Sequence, residues 1–301
     1  MAGKVVCLDV DYTPPLDWDF FARHLGGRAT RGVEMMEGNS YCRSIEIDGR
    51  IGCISIVPSA SDHQFQVKIT GEARKHPEVV ADRVRRMLDL NIDLAAVHQT
   101  LKADPILAPL LAAYPGIRVP GAWSRFEVLV RTIVGQQVTV KAATTIMGRL
   151  ASRFGQPTGL SKGPEFVFPT PAQIAEGGME GIGMPGKRVA ALQTVARAIA
   201  ENRIPSFDTA PATEIRQALM TMPGIGPWTM EYFSLKALGD ADAWPGTDLV
   251  LKRVVEQMSA GKPGGADLWR PYRGYAAMHL WNRASQANAL KESNPASEVV
   301  K

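Results

Sequence analysis

Residues 212–253, ATEIRQALMTMPGIGPWTMEYFSLKALGDADAWPGTDLVLKR, gather the residue types in this chain that could do chemistry. Pro223-Gly224-Ile225-Gly226 separates two helical patterns, and Pro227 opens the second at a favoured first-turn position. Two glycines around one apolar residue leave the turn's amides unshielded, and those amides point outward at the N-terminus of the following helix. Such a spot binds anions, phosphate above all. Thr229, in the first turn, can add its hydroxyl to the same phosphate. Trp228 and Tyr232 are four apart and share one helix face, and Trp281, on a later helix, could meet them in space. Asp248 heads the helical pattern LVLKR, where a carboxylate also serves as an N-cap. Plainer readings exist for each: a helix–helix turn for PGIG, ordinary core for the aromatics, a cap for the acid.

These residues need elements to hold them. Residues 41–69 alternate in the manner of strands, with an Asp48-Gly49 turn that suggests a hairpin. A short helix over 16–27 precedes them, and helical spacing over 76–90 follows. Beyond residue 91 strand signals almost vanish. Helical segments separated by Pro and Gly take over at 106–114, 124–134, 138–154, 171–176, 187–202, 212–222, 227–238, 248–258 and 271–281. The expected fold is therefore α+β: an N-terminal antiparallel sheet with two helices over 1–90, then an all-α region over 91–284 with its hairpin at 222–227. Residues 285–301 are polar, lack aromatics and show no period, which predicts a flexible C-terminal tail.

Composition narrows the class of function. With 301 residues, 45% hydrophobic and 21% charged, the chain can build large cores and is neither disordered nor membrane-embedded. Its three cysteines, Cys7, Cys42 and Cys53, lack metal-ligand spacing, which argues against a disulfide framework, a zinc site or a four-cysteine iron–sulfur cluster. The opening residues carry acids where a signal peptide needs an apolar run, so a cytoplasmic, nucleoid-associated address is expected. A net charge of +4 is compatible with a polyanionic partner and decides nothing alone.

Taken together, the MPGIG hairpin, the Gly/Pro-rich loop Trp244-Pro245-Gly246-Thr247 and Asp248 resemble the helix-hairpin-helix–GPD superfamily of DNA repair glycosylases. The likeness extends over most of the chain. PPLDWDFF with YCRSIEIDG, then IRVPGAWSRFEVLVRTIVGQQVT, GMPGKRVAAL and RPYRGYAAMHLWN, resemble the 3-methyladenine DNA glycosylase II (AlkA-type) branch. The resemblance implies an AlkA-like N-terminal domain and two helical subdomains around the site.

It also implies roles. A glycosylase must rotate its target nucleotide out of the duplex into a pocket. Trp228, Tyr232 and Trp281 match the branch's aromatic pocket, whose electron-rich faces would attract the positive charge of a ring-alkylated purine. Such a base leaves readily, so one carboxylate, Asp248, suffices to stabilise the oxocarbenium-like sugar and handle water. Gly224, Gly226 and Thr229 would bind phosphate, and Gln136 and Gln137 would contact the duplex. Main-chain carbonyls of Met220, Met222 and Ile225 would hold a monovalent cation at the hairpin. Trp228 stands where strand-cleaving members carry a lysine nucleophile, so a monofunctional enzyme without lyase activity is expected. Gln137 departs from the pattern, because a bulky apolar wedge usually follows the first GQ pair; an amide there would still plug the gap, with altered opposite-base preference.

The expected partner is double-stranded DNA containing alkylated bases, bound by a monomer with no nucleotide cofactor. Arg118, Lys187, Arg188, Lys252 and Arg253 neighbour the motifs and are candidates for phosphate contact, whereas Arg83, Arg85 and Arg86 read as a solvated face. His279 is expected to be structural, and His24 has no assignment. Two other readings stay open: a glycosylase for oxidised, deaminated or mismatched bases, and a non-catalytic binder of damaged DNA.

Overall fold

The computed structural model describes residues 4–60, 62–259 and 265–293. Five strands, β1 (Val6–Asp11), β2 (Glu34–Glu37), β3 (Ser40–Ile47), β4 (Arg50–Pro58) and β5 (Gln64–Gly71), form one antiparallel sheet in the order β1-β5-β4-β3-β2. The predicted turn joins β3 to β4: Asp48 and Gly49 both have positive φ, 51° and 72°, and Ile47 pairs with Arg50. Two successive left-handed residues match the right-handed twist of the flanking strands, which is why Asp-Gly serves there. The edge strands lie outside the sequence expectation. β1 buries only Val10 and β2 buries nothing, so neither carries a strong apolar alternation.

Alternate residues of the sheet, among them Val10, Ile54, Ile56, Phe65, Val67 and Ile69, are fully buried. Helices α1 (Trp18–Gly26) and α2 (Pro77–Met87) cover them with Phe20, Phe21, Val80, Val84 and Met87. Asp17 caps α1 by accepting from Phe20 N at 2.8 Å. The same core continues through α3 (Leu94–Leu101) and α4 (Ala108–Ala113) and takes in Leu251, Val254, Trp269 and Leu280 from near the C-terminus. A second core belongs to α5 (Arg125–Val134), α6 (Val140–Phe154), α7 (Pro171–Glu176), α8 (Gly186–Ala200), α9 (Ala212–Met220) and α10 (Pro227–Phe233). Helices α11 (Leu249–Ser259) and α12 (Arg273–Ser293) then return to the first core.

The cores thus divide the chain near residue 124 and again after α10, not at residue 90. The apolar faces of α3 and α4 need a partner, and the sheet body with the returning C-terminal helices supplies it. The first part of the expected tail over 285–301 is helical. Helix α12 runs through Ser293, favoured by the alanine-rich run after Arg283, with Ala284 packed against the first core; residues 294–301 lie outside the described residues. Among the described residues no helix is long and apolar enough to cross a membrane.

Two buried arginines tie the bodies together. Arg118, 0% exposed, donates to the carbonyls of Asp89 at 2.7 Å and Pro15 at 3.1 Å, and to that of Thr13. It fastens the segment before α5 to the sheet body and has no free face for phosphate, contrary to expectation. Arg43 on β3 meets Glu127 on α5 at 2.7 Å and Glu34 at 3.6 Å, while Arg131 on α5 reaches Glu34 at 3.4 Å. Burial alone pushes the Glu34 carboxyl up, but Arg43, Arg131 and the Tyr41 hydroxyl outweigh it and hold Glu34 below the ordinary glutamate range. Burial prevails at Glu127, whose carboxyl sits above that range.

Candidate active site

Helix α9 ends at Met220, and the chain turns through Gly224, whose φ is +81°, into α10. Ile225 is buried in the second core and pins the turn from beneath. Gly226 occupies the N-cap of α10 with no side chain capping it, so the first-turn amides are left to an outside acceptor. Gln136 straps this hairpin to the α5–α6 turn. Its Nε2 donates to the carbonyl of Gly224 and to Thr229 Oγ1, both at 2.9 Å. Thr229 is therefore not the phosphate-facing hydroxyl the sequence suggests: it is 3% exposed, because its position in the first turn faces the second body. Gln137 is exposed, with a left-handed φ of +56°, at the tip of the same turn.

Trp228 and Tyr232 stack on one face of α10, ring centroids 5.4 Å apart and planes 23° from parallel. Trp281 on α12 meets Tyr232 edge-on at 5.8 Å. Three half-buried aromatics from two distant segments therefore meet at one place.

Asp248 joins the two tryptophans. Its Oδ1 accepts from the amides of Val250 and Leu251, both at 3.0 Å, so it is indeed the N-cap of α11. The same carboxylate accepts from two indoles: Trp228 Nε1 reaches Oδ2 at 3.1 Å and Trp281 Nε1 reaches Oδ1 at 3.2 Å. Capping and site geometry are thus one arrangement, and neither reading excludes the other.

A residue that sequence reasoning missed sets up the loop before Asp248. Glu231 on α10 accepts from Trp244 N at 2.9 Å and pairs with Arg216, which donates to Ser234 Oγ at 2.7 Å. Trp244 in turn packs edge-on against the buried Trp269 at 5.3 Å. The signal was present, since Glu231 lies between Trp228 and Tyr232 in helical order and an acid beside an apolar patch needs a partner.

The basic candidates scatter. Lys187, Lys252 and Arg253 are exposed, and Arg188 is half-buried. Arg83 is not simply solvated: its guanidinium lies 5.2 Å from the Trp123 ring centroid, whereas Arg85 pairs with Asp82 on an exposed face. His279 is buried two residues before Trp281 on α12, and desolvation pushes its imidazole down to about 3, which fits a structural residue.

Residues 7–124 match the AlkA N-terminal domain, and residues 130–267 match the HhH-GPD superfamily of base excision DNA repair proteins. The chain is 30% identical over 277 residues to DNA-3-methyladenine glycosylase 2 of Escherichia coli, covering 90% of this chain and 95% of that protein. The chain belongs to the HhH-GPD superfamily, in its AlkA-type branch. It is also 31% identical over 286 residues to the probable bifunctional transcriptional activator/DNA repair enzyme AlkA of Mycobacterium tuberculosis. There it covers 93% of this chain and spans only 57% of the relative's length. Among solved structures, the 3-methyladenine DNA-glycosylase from Archaeoglobus fulgidus shares the fold, with a TM-score of 0.78 at 21% identity over 93% of this chain and 98% of that one.

Proposed function

We propose that this HhH-GPD protein is a monofunctional DNA glycosylase that flips alkylated bases, of the 3-methyladenine and 7-methylguanine type, out of duplex DNA and hydrolyses their N-glycosidic bonds. The observation that carries this reading is the convergence of the Trp228 and Trp281 indole N–H groups on Asp248. A carboxylate between two indoles, at the mouth of a stacked aromatic cleft, suits a sugar beside it and a flat cationic base against the rings.

The chemistry follows from the charges. The glycosidic C–N bond breaks heterolytically and its electron pair neutralises the alkylated base. The sugar becomes oxocarbenium-like, and Asp248 faces it with negative charge that needs no reorganisation because four N–H donors already fix it. Water adds at the anomeric carbon and loses its proton, leaving an abasic site. With Trp228 where a lysine nucleophile would stand, nothing in this reading attacks the sugar covalently.

On the same reading the uncapped start of α10 takes a DNA phosphate, Lys187, Lys252 and Arg253 supply exposed positive charge, and Gln137 enters the gap left by the flipped base. Gln136 supports this as a strap, not as a direct contact. The carbonyls of Met220, Met222 and Ile225 would hold a monovalent cation that offsets phosphate charge. They are neutral hard oxygens, and among the described residues Met222 O accepts from Ile225 N alone, at 3.3 Å, which leaves it a lone pair. The protein acts as a monomer without a nucleotide cofactor, in the compartment that holds the DNA.

Incubating the protein with methylated duplex and following free base and alkali-labile sites tests the proposal. Release of methylated bases is expected; strand scission without alkali would contradict the lyase-free part. The hairpin has its own test. A Cβ at Gly224 would lie 2.6 Å from the Ala191 Cβ on α8, on a backbone whose φ of +81° already disfavours any side chain. Gly224→Ala is expected to lower stability by about 1–3 kcal/mol and duplex affinity about tenfold, read by thermal melting and by fluorescence anisotropy on a labelled duplex. Wild-type affinity in the variant would remove the hairpin from the interface.

A further inference from the structure

We infer that His24 and Lys236 form the far wall of the base pocket and read the edge of the flipped base opposite its sugar; this rests on the glycosylase reading above. Trp228, Tyr232 and Lys236 follow one another at intervals of four along α10 and its π-wound continuation, Ser234–Leu238. Each interval advances about 6 Å along the helix. Asp248 is bonded to Trp228, at the first of these steps, so the three side chains run from the sugar end inward. A purine whose sugar lies at Asp248 therefore extends over Tyr232 toward Lys236.

There is space at that end. A cavity of about 70 Å3 is lined by Tyr232, Lys236, His24, Arg28 and Trp123 among others. In its wall Lys236 Nζ lies 3.4 Å from His24 Nε2 and 3.9 Å from Met278 Sδ, so neither of its hydrogen-bonding neighbours is a carboxylate. Lys236 is buried, and it sits in a π-wound turn, a rare winding that occurs frequently at functional sites. A core built for stability alone would place an apolar group here, since a buried lysine whose amine meets an imidazole and a thioether, with Asp89 acting on it only through space, is costly.

Burial first, then Arg28, holds the Lys236 amine well below the usual lysine range against the upward pull of Asp89; burial, Arg28, Lys236 and Arg131 do the same to His24. An amine and an imidazole biased toward their uncharged forms do not repel a cationic base. They offer donors and lone pairs to its edge. The far edge of a purine carries an amino group in adenine and a carbonyl oxygen in guanine. The amine donates to the oxygen, so guanine-type bases depend on Lys236 more than adenine-type bases do.

Methylated duplex DNA contains 7-methylguanine and 3-methyladenine together, so the ratio in which full-length protein releases them is its own control. Both bases meet the same folded molecules, and the ratio does not change with the folded fraction. Lys236→Met is expected to lower the 7-methylguanine to 3-methyladenine ratio about tenfold, the effect of one lost hydrogen bond. His24→Phe is expected to shift it in the same direction. An unchanged ratio in both variants, or no 7-methylguanine release by the wild type, overturns the inference and leaves the glycosylase reading standing. Release of neither base by the wild type removes the glycosylase reading itself.

Discussion

Asp248→Asn is expected to slow base release about 10²–10³-fold while the protein melts within a few degrees of the wild type. Two facts about the same side chain separate these effects. The amides of Val250 and Leu251 both bond Oδ1 at 3.0 Å, and an asparagine oxygen can keep both bonds, since asparagine caps helices as well as aspartate does. The Trp281 bond to that same oxygen also survives, but the Trp228 bond and the charge do not. With its oxygen on the cap, its NH2 replaces Oδ2 and confronts Trp228 Nε1, which now bonds Oδ2 at 3.1 Å, donor against donor. The negative charge opposite the developing sugar cation is gone as well. Single-turnover release from methylated duplex, beside a thermal melt, checks both halves. Activity within tenfold of wild type would mean that the carboxylate is a cap and nothing more.

Local chemistry made much of this site legible in the sequence. Asp48-Gly49 dictates its turn from two residues, Trp228 and Tyr232 share a face by spacing alone, and the PGIG turn announces exposed amides. What stayed hidden depends on long-range packing. Arg118 stands beside the recognised motifs in sequence, yet its side chain turns inward to carbonyls of Thr13 and Pro15, more than a hundred residues earlier. Thr229 reads as surface in the first turn of a helix until Gln136, 93 positions away, proves to cover it. His24 and Lys236 are 212 positions apart, and no periodicity joins them. Helix α3 is the exception, because its signal was local: Asp93 accepts from Ala95 N and Ala96 N in an ordinary cap, but eight residues give too little periodicity to stand out.

Arg43→Met is expected to destabilise the protein by about 3–5 kcal/mol at neutral pH, the largest loss of stability any single change considered for this fold should produce. Methionine fills much of the same volume, so the effect isolates charge. Glu127, on α5, and Glu34 are left buried, with Arg131 at 3.4 Å from Glu34 as their remaining cation partner. The pH dependence has a definite sign. Burial already raises Glu127 above its ordinary range with Arg43 present, and removing Arg43 raises it further. Between its unfolded and folded values the native state then binds the extra proton, so the variant gains stability as pH falls and its deficit narrows toward about pH 5. Glu34 adds in the same direction, because part of the stability it contributes above its unfolded value comes from Arg43. Urea titrations of both proteins at several pH values check this, and a deficit that is small or independent of pH would show the network to be dispensable. The site would feel the change too: α5 carries Glu127 and Arg131, and it ends at the turn whose Gln136 straps the hairpin. Loosening α5 from the sheet therefore loosens the hairpin that Gln136 straps, and on the proposed glycosylase reading base release should fall along with stability.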